Sequence, residues 1–158
     1  MVLAAAPPAT QVDDESKFTQ GVAIPDGDGG QRVYVQNADS ASWTTGTPVT
    51  HNAGDITTGK KALSTHDGKP EALLGFAATT IAASKWGWLK RRGSMVVHIS
   101  SGATIQTNLA MTLRGQASNN IGLSSVPASS APPQRAIAVS VASIASDATS
   151  ATVLVSLP

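Results

Sequence analysis

Apolar and polar positions alternate most regularly in the last third of the chain. Ile137, Val139 and Val141 alternate with alanine and serine, and the apolar residues of 151–157 alternate in the same way. A period of two with β-branched residues predicts strands. Residues 147–149 lie between the two segments and suit a hairpin turn. We therefore expect two antiparallel strands at the end of the chain.

Shorter apolar runs predict further strands upstream. We place strands at 32–36, 48–50, 73–81, 86–92, 95–99 and 104–113, with Gly93 as a break, 82–85 as a turn and 116–134 as a loop. The polar stretch 37–70 is long for a plain loop, so we expect unrecognised short strands or a surface excursion there. Many short strands separated by turns predict an all-β fold, a small β-sandwich or barrel.

The first thirty residues show no such periodicity. They contain Pro7 and Pro8, the acidic run 13–15 and the glycine-rich stretch 25–30. Segments of this composition bury little apolar surface and stay disordered unless a partner orders them. We predict an extended, flexible arm over residues 1–30 and a single β-rich domain over residues 31–158.

Length and charge limit the classes of function. A chain of 158 residues and 16.0 kDa has room for one ordinary domain. Only 13% of its residues are charged and its net charge is +1, which removes the strongest reason to propose a nucleic-acid partner. Nine acidic and five basic residues precede position 72, whereas one acidic and six basic residues follow position 71. Either the two halves neutralise each other within one fold, or a bipolar surface docks on a charged partner or on copies of the chain.

Residues that could carry chemistry are sparse. The absence of cysteine excludes thiolate chemistry, and His51, His66 and His98 lack metal-ligand spacing. The stretch 26–30 resembles part of a calcium loop but lacks the later oxygen ligands. Neither a nucleophile elbow nor a phosphate-binding loop occurs. We expect no catalytic activity, no cofactor and no metal, and the lack of a signal peptide or a membrane-spanning run predicts a protein made in a cytoplasm without a membrane partner.

The densest segment is 85–92, where aromatic and basic residues mix. In a strand Trp86, Trp88, Lys90 and Arg92 share one face, opposite Leu89 and Arg91. Such a face could stack on single-stranded nucleic acid or on sugar. The other interpretation is that a tryptophan anchors the core or a subunit interface, and the scarcity of aromatic residues elsewhere favours it.

The same region carries a resemblance to a known family. The sequence resembles the capsid decoration (cement) proteins of tailed bacteriophages in Gly75-Phe76-Ala77, Ile81-Ala82-Ala83, Gly87-Trp88, Arg92-Gly93, Ile121-Gly122, Arg135-Ala136-Ile137-Ala138 and residues 151–155. The resemblance spans about residues 72–158 and extends faintly to 32–49. The acidic, proline-bearing start of the chain is not part of it.

This resemblance implies a structural role. It implies a β-rich homotrimer on the outer surface of an icosahedral shell, made in the host cytoplasm, that bridges major capsid proteins without touching nucleic acid. The candidate capsid or subunit contacts are then Phe18, Trp86, Trp88, Lys90, Arg91, Arg92 and Arg114. The alternative is a carbohydrate- or surface-binding β-module, such as a fibre or adhesin piece, with Trp86 or Trp88 as the sugar platform.

Overall fold

The strands form one continuous sheet in a computed structural model that describes residues 7–26, 29–52, 55–62, 70–100, 104–115, 121–126 and 135–157. These ranges contain eleven strands and a short 3₁₀ helix, Pro70–Ala72, but no α-helix. The predicted all-β fold is confirmed. The strands are β1 Val12–Asp13, β2 Ala23–Pro25, β3 Gln31–Asn37, β4 Pro48–Asn52, β5 Asp55–Lys61, β6 Leu73–Ala77, β7 Trp86–His98, β8 Ala110–Gly115, β9 Ile121–Ser125, β10 Ala138–Ser140 and β11 Ser150–Ser156.

Five strands close into a first barrel. The order β3-β5-β4-β6-β7 returns to its start because β7 also pairs with β3. The pairing of β3 with β5 is parallel, and the other four pairings are antiparallel. Full closure removes the exposed sheet edges that a small open sheet would carry. Its interior is filled by Val33, Val35, Trp43, Val49, Leu74, Ala77, Ile81 and Leu89.

The second half of β7 begins another ring. It pairs with β11, and the order continues through β10 and β8 to β9. A parallel bridge between Ile99 and Leu123 closes this ring, and the Ser100 amide donates to the Leu123 carbonyl at 2.9 Å. Met95, Val97, Met111, Leu113, Leu123, Val153 and Val155 lie in its core. The two barrels therefore share the long strand β7.

The two barrels repeat one backbone plan. Trp43 bridges Ile81 in the first barrel, and Ile105 bridges Ile144 in the second. Three residues after Trp43 and after Ile105 the chain adopts a positive φ, 83° at Gly46 and 61° at Asn108. The amide of each of these residues donates at 2.8 Å to the last carbonyl of a strand, Ala77 in β6 and Ser140 in β10. Equivalent hydrogen bonds at equivalent places identify an internal repeat.

Gly93 joins the two barrels and does not break the strand. The predicted break is wrong, because β7 runs without interruption from Trp86 to His98. Up to Arg92 the strand pairs with β3, and from Arg92 onward it pairs with β11. The φ of Gly93 is 98°, a conformation that side chains strongly disfavour. Glycine therefore permits the backbone conformation required at the point where β7 changes its partner from β3 to β11.

Two other sequence predictions have different outcomes. The expectation of an unrecognised strand within 37–70 is confirmed by β5. The prediction of a loop throughout 116–134 is wrong, because β9 pairs with β8 along Met111–Gly115. Only two of the five residues in β9 are large and apolar, so its strand pattern is weak, and pairing with β8 decides its conformation.

The N-terminal segment, defined as residues 7–26, lies along the first barrel. It contributes β1, which pairs with β7, and β2, which pairs with β3. Gly21 donates its amide to the Tyr34 carbonyl at 2.7 Å. The segment thus has a docking site on its own chain that the sequence did not reveal.

Candidate functional site on the outer faces of the barrels

The outer face of β3 and β7 carries large polar and aromatic side chains. Alternation points Val33 and Val35 of β3 into the first barrel, so Tyr34 faces outward. Tyr34 is directly opposite Trp88 in the strand register. Both side chains are nevertheless fully buried. Something outside the barrel must therefore cover them.

The N-terminal segment provides that cover. The ring of Phe18 meets Tyr34 edge-on with centroids 5.1 Å apart, and lies 5.3 Å from Trp88. Tyr34 and Trp88 are themselves 5.0 Å apart. The Arg32 guanidinium lies 5.1 Å from the Trp88 ring centroid and donates to the Pro7 carbonyl. This aromatic cluster stabilises the docking of the segment on the barrel, since aromatic contacts and cation–π contacts contribute free energy beyond that of the buried area.

A buried carboxylate lies beside the cluster. The Asp13 carboxylate accepts hydrogen bonds from the Tyr34 hydroxyl at 2.8 Å and from the side-chain amide of Gln11 at 2.9 Å. It also forms an ion pair with the Lys17 ammonium at 3.2 Å. Burial alone would raise the pKa of Asp13, but these hydrogen bonds and the Lys17 charge outweigh it and lower the pKa. Burial and the Asp13 hydrogen bond raise the pKa of Tyr34 to about 12.

Ion pairs also hold the segment. Asp14 lies 3.0 Å from the Lys85 ammonium, and Asp26 lies 3.1 Å from the Lys90 ammonium. Each pair joins an acid of the first half of the sequence to a base of the second half. For these four residues, the acidic charges of the first half and the basic charges of the second half neutralise each other within one fold.

The seven predicted contact residues do not form one surface. Phe18 and Trp88 belong to the aromatic cluster, and Trp88 is fully buried, so a partner cannot reach it while the segment is docked. Lys90 and Trp86 are half-buried on the same strand. Arg92 is exposed and its Nε donates to the Leu157 carbonyl at 3.3 Å. Arg91 is half-buried in β7, and Arg114 is half-buried on β8 in the second barrel.

The second barrel presents a surface that the sequence analysis missed. Val139 and Leu154 are directly opposite in the pairing of β10 with β11, and both are exposed, by 38% and 52%. Val96 is on the adjacent strand β7, opposite Thr152, and is 43% exposed. We define the apolar strip as Val96, Val139 and Leu154, which lie on three neighbouring strands. Leu109 and Val141, just outside β8 and β10, are exposed as well.

The apolar strip lies on the outer face of the second barrel. The equivalent face of the first barrel is covered by the N-terminal segment. By strand register Val96 and Thr152 of the second barrel correspond to Tyr34 and Trp88 of the first, and Leu154 corresponds to Lys90. The first barrel hides this face under the N-terminal segment. No described residue covers the strip enough to bury it. The one sequence signal was Leu154, an apolar residue at a position where the alternation of 151–157 calls for a polar one.

Residues that could hold a metal are scattered. In the described ranges no three His, Asp or Glu side chains are grouped as metal ligands. Asp26 of the calcium-like stretch pairs with Lys90, and residues 27 and 28 lie outside the described residues, as does His66. No helix in the part of the chain that the structure describes is long and apolar enough to cross a membrane.

No protein-family model matches the chain, and no curated protein or solved structure is significantly similar to it.

Proposed function

We propose that this protein is a virion structural protein that binds the outer surface of an icosahedral phage capsid through the apolar strip. In this proposal it acts as a homotrimer and stabilises the shell by bridging neighbouring major capsid proteins. The observation that carries the proposal is the exposure of the strip on strands β7, β10 and β11.

The physical argument is that contiguous exposed apolar surface marks a contact site in a protein that folds in water. Fully burying one valine or leucine side chain contributes about 1.5–3 kcal/mol. The strip residues are 38–52% exposed, so only part of this gain remains, and each copy would gain on the order of a few kcal/mol from covering all of them. Many copies on one shell would then add up to a substantial stabilisation.

The positions of the tryptophans favour this role over the sugar-binding alternative. A sugar platform requires an exposed aromatic ring, but Trp43 and Trp88 are buried and Trp86 is half-buried. The sugar-binding alternative depended on Trp86 or Trp88 as the sugar platform. Since Trp88 is fully buried, Trp86 is the remaining candidate.

The experiment is a binding assay on undecorated shells of a tailed phage. Wild-type protein is mixed with shells, the shells are sedimented, and bound protein is measured by gel and located by electron microscopy. The variants are Val139→Lys and Leu154→Lys. The matched control is Val12→Lys, because Val12 is 39% exposed and lies in β1, away from the strip.

We expect wild type and Val12→Lys to cosediment with the shells, and Val139→Lys and Leu154→Lys to remain in the supernatant. Shells that bind all four proteins equally would reject the strip as the contact. Shells that bind none, together with glycan binding that Trp86→Ala abolishes, would establish the carbohydrate-binding module instead.

A further inference from the structure

A groove lies on the second barrel between the start of β11 and the loop that follows β10. Its volume is about 340 Å³, and its lining consists of residues 141–145 and Ala148 of the loop and residues 150–152 of β11. No charged side chain is among these lining residues. Ser150 and Thr152 are exposed, so the wall formed by β11 is accessible from solvent.

The internal repeat places this groove where β1 docks on the first barrel. In the strand register Ser150 corresponds to Trp86. Ala151 corresponds to Gly87 in the same way. Trp86 and Gly87 are the two residues of β7 with which β1 pairs. The groove is therefore the equivalent, on the second barrel, of a site that binds an extended segment on the first.

The backbone of β11 is available for pairing along the groove. Ser150 is directly opposite His98 in the pairing of β11 with β7. The His98 amide donates instead to the Gly46 carbonyl at 3.0 Å, away from β11. In an antiparallel ladder the two residues of such a pair both direct their backbone groups away from each other, so those of Ser150 face the groove. β10 pairs with β11 only along Val153–Val155, and no described strand pairs with Ser150 on this side.

The chemistry around the groove disfavours an acidic occupant. On the first barrel, two adjacent carboxylates of the N-terminal segment contact Tyr34 and Lys85. The equivalent positions hold Val96, which has no side-chain donor, and Thr149, which has no charge. A carboxylate that loses its water without gaining such partners is costly. The groove therefore favours an uncharged segment over the N-terminal segment of a second copy.

We propose that this groove binds an extended, uncharged peptide segment of a partner protein, which adds an antiparallel strand to β11 as β1 does to β7. The segment exchanges main-chain hydrogen bonds with Ser150, and its small apolar side chains pack between β11 and residues 141–145. It then continues onto the apolar strip, as the first barrel's segment continues from β1 to Phe18 over Tyr34 and Trp88. The inference rests on the proposed function only for the identity of the partner, a shell protein.

The first experiment titrates the full chain with two synthetic peptides and follows amide NMR and hydrogen exchange. One peptide is residues 9–20 of this chain, which include β1 and Phe18. The other is the same peptide made uncharged by Asp13→Asn, Asp14→Asn, Glu15→Gln and Lys17→Gln.

The variants of the full chain are Ser143→Lys and Ser150→Lys, one on each wall of the groove. Ser156→Lys is the matched control, because Ser156 is exposed on the same strand and does not line the groove. A second experiment compares hydrogen exchange of residues 150–152 in the free protein and in the protein bound to undecorated shells, by mass spectrometry.

We expect the uncharged peptide to cause saturable shifts at residues 141–145 and 150–152 and to slow exchange of the Ser150 amide, as strand pairing requires. The acidic peptide should bind about tenfold more weakly. Ser143→Lys and Ser150→Lys should weaken binding of the uncharged peptide about tenfold, because the peptide then covers an ammonium group. Ser156→Lys should bind like wild type, and shells should slow exchange at residues 150–152.

The peptide and shell measurements separate this inference from the proposed function. An uncharged peptide that does not saturate, or that leaves exchange of the Ser150 amide unchanged, would overturn the groove as a strand-binding site. Equal or tighter binding of the acidic peptide would overturn the uncharged occupant in favour of the N-terminal segment of a second copy. An equal loss in Ser150→Lys and Ser156→Lys would also overturn the site, since it would indicate a general charge effect. Peptide binding in the groove without binding to shells would support the groove and reject the proposed function.

Discussion

The Tyr34 hydroxyl donates a 2.8 Å hydrogen bond to the Asp13 carboxylate, and this bond links a barrel strand to the N-terminal segment. Both residues are buried: Tyr34 is 0% exposed and Asp13 is 3% exposed. A bond of this kind is shielded from water, so it is stronger than its exposed counterparts. Because Asp13 is titratable, we expect the docking of the segment to depend on pH.

The first prediction concerns Asp13. Asp13→Asn removes the charge that Lys17 and Tyr34 contact, and we expect it to lower the free energy of unfolding by about 1–3 kcal/mol. Because the folded-state pKa of Asp13 is lowered, its contribution is present above the unfolded value of 3.8 and is lost as the pH falls through the folded value. Urea denaturation at neutral and acidic pH measures both effects.

Asp14→Asn is the matched control for that experiment. Asp14 is the adjacent carboxylate, and its side chain is 88% exposed in its pair with Lys85. Exposed pairs contribute little, so its stability should remain close to wild type. Equal losses in the two variants would contradict the role assigned to Asp13.

The second prediction uses the single tyrosine of the chain. Its phenolate absorbance reports Tyr34 alone, and we expect its midpoint near the pKa of about 12 rather than the usual 10. Because the folded pKa is raised, the stability it contributes is present below pH 10 and is lost as the pH rises toward 12. Asp13→Asn should lower the midpoint. A midpoint near 10 in the folded wild type would mean that Tyr34 is exposed.

The third prediction concerns Trp88. Trp88→Ala removes a fully buried side chain between Phe18 and Tyr34, which should cost about 3–5 kcal/mol. Thermal or urea unfolding beside wild type measures the loss. Thr152→Ala is the comparison, because Thr152 occupies the corresponding position of the second barrel, where nothing comparable is packed. A Trp88→Ala melting temperature close to wild type would contradict the buried cluster.

The fourth prediction concerns the N-terminal segment as a whole. We expect removal of residues 1–20 to lower the melting temperature, because it uncovers Tyr34 and Trp88 and deletes Phe18 and Asp13. The milder Phe18→Ala should act in the same direction by a smaller amount. An unchanged transition in the truncated chain would show that the segment is a free arm in solution, as the composition of residues 1–30 predicts.

The fifth prediction concerns assembly. Sedimentation equilibrium at micromolar concentration should give three times the 16.0 kDa chain mass for wild type and for Leu154→Lys alike. A wild type that remains monomeric would contradict the trimer. A trimeric wild type with a monomeric Leu154→Lys would place the apolar strip between subunits rather than against a shell.

Much of the fold follows from local sequence. β3, β10 and β11 were predictable as strands because β-branched residues recur there at a period of two. In β10, however, the residue on that face, Val139, is exposed. β4 was predicted only from the short segment 48–50. The turn at 82–85 is equally local. By contrast, β5 and β9 each contain a glycine and several polar residues, so neither shows a clear alternation of apolar and polar positions, and their partners across the sheet decide their conformation.

The site was less predictable than the fold. The sequence placed Trp88 and Lys90 on one face of a strand, which is correct for β7. It did not reveal that Phe18, far away along the chain, covers Trp88. It also gave no sign that Val139 and Leu154 meet across two strands, since a strand register is set by pairing and not by either segment alone.

The sequence by itself determined the all-β class, the approximate positions of the regular strands and which side chains share a face of a strand, because these depend on neighbours two residues apart. Only the tertiary structure decided that the strands close into two barrels that share β7, with Gly93 at the point where β7 leaves one barrel and enters the other. It also decided that the outer face of the first barrel is covered while the equivalent face of the second is exposed. Those features depend on contacts between residues far apart in the chain, such as Asp13 with Tyr34 and Gly46 with His98. The free energy of such contacts comes from burial and hydrogen bonds formed only after folding, so no local pattern records them.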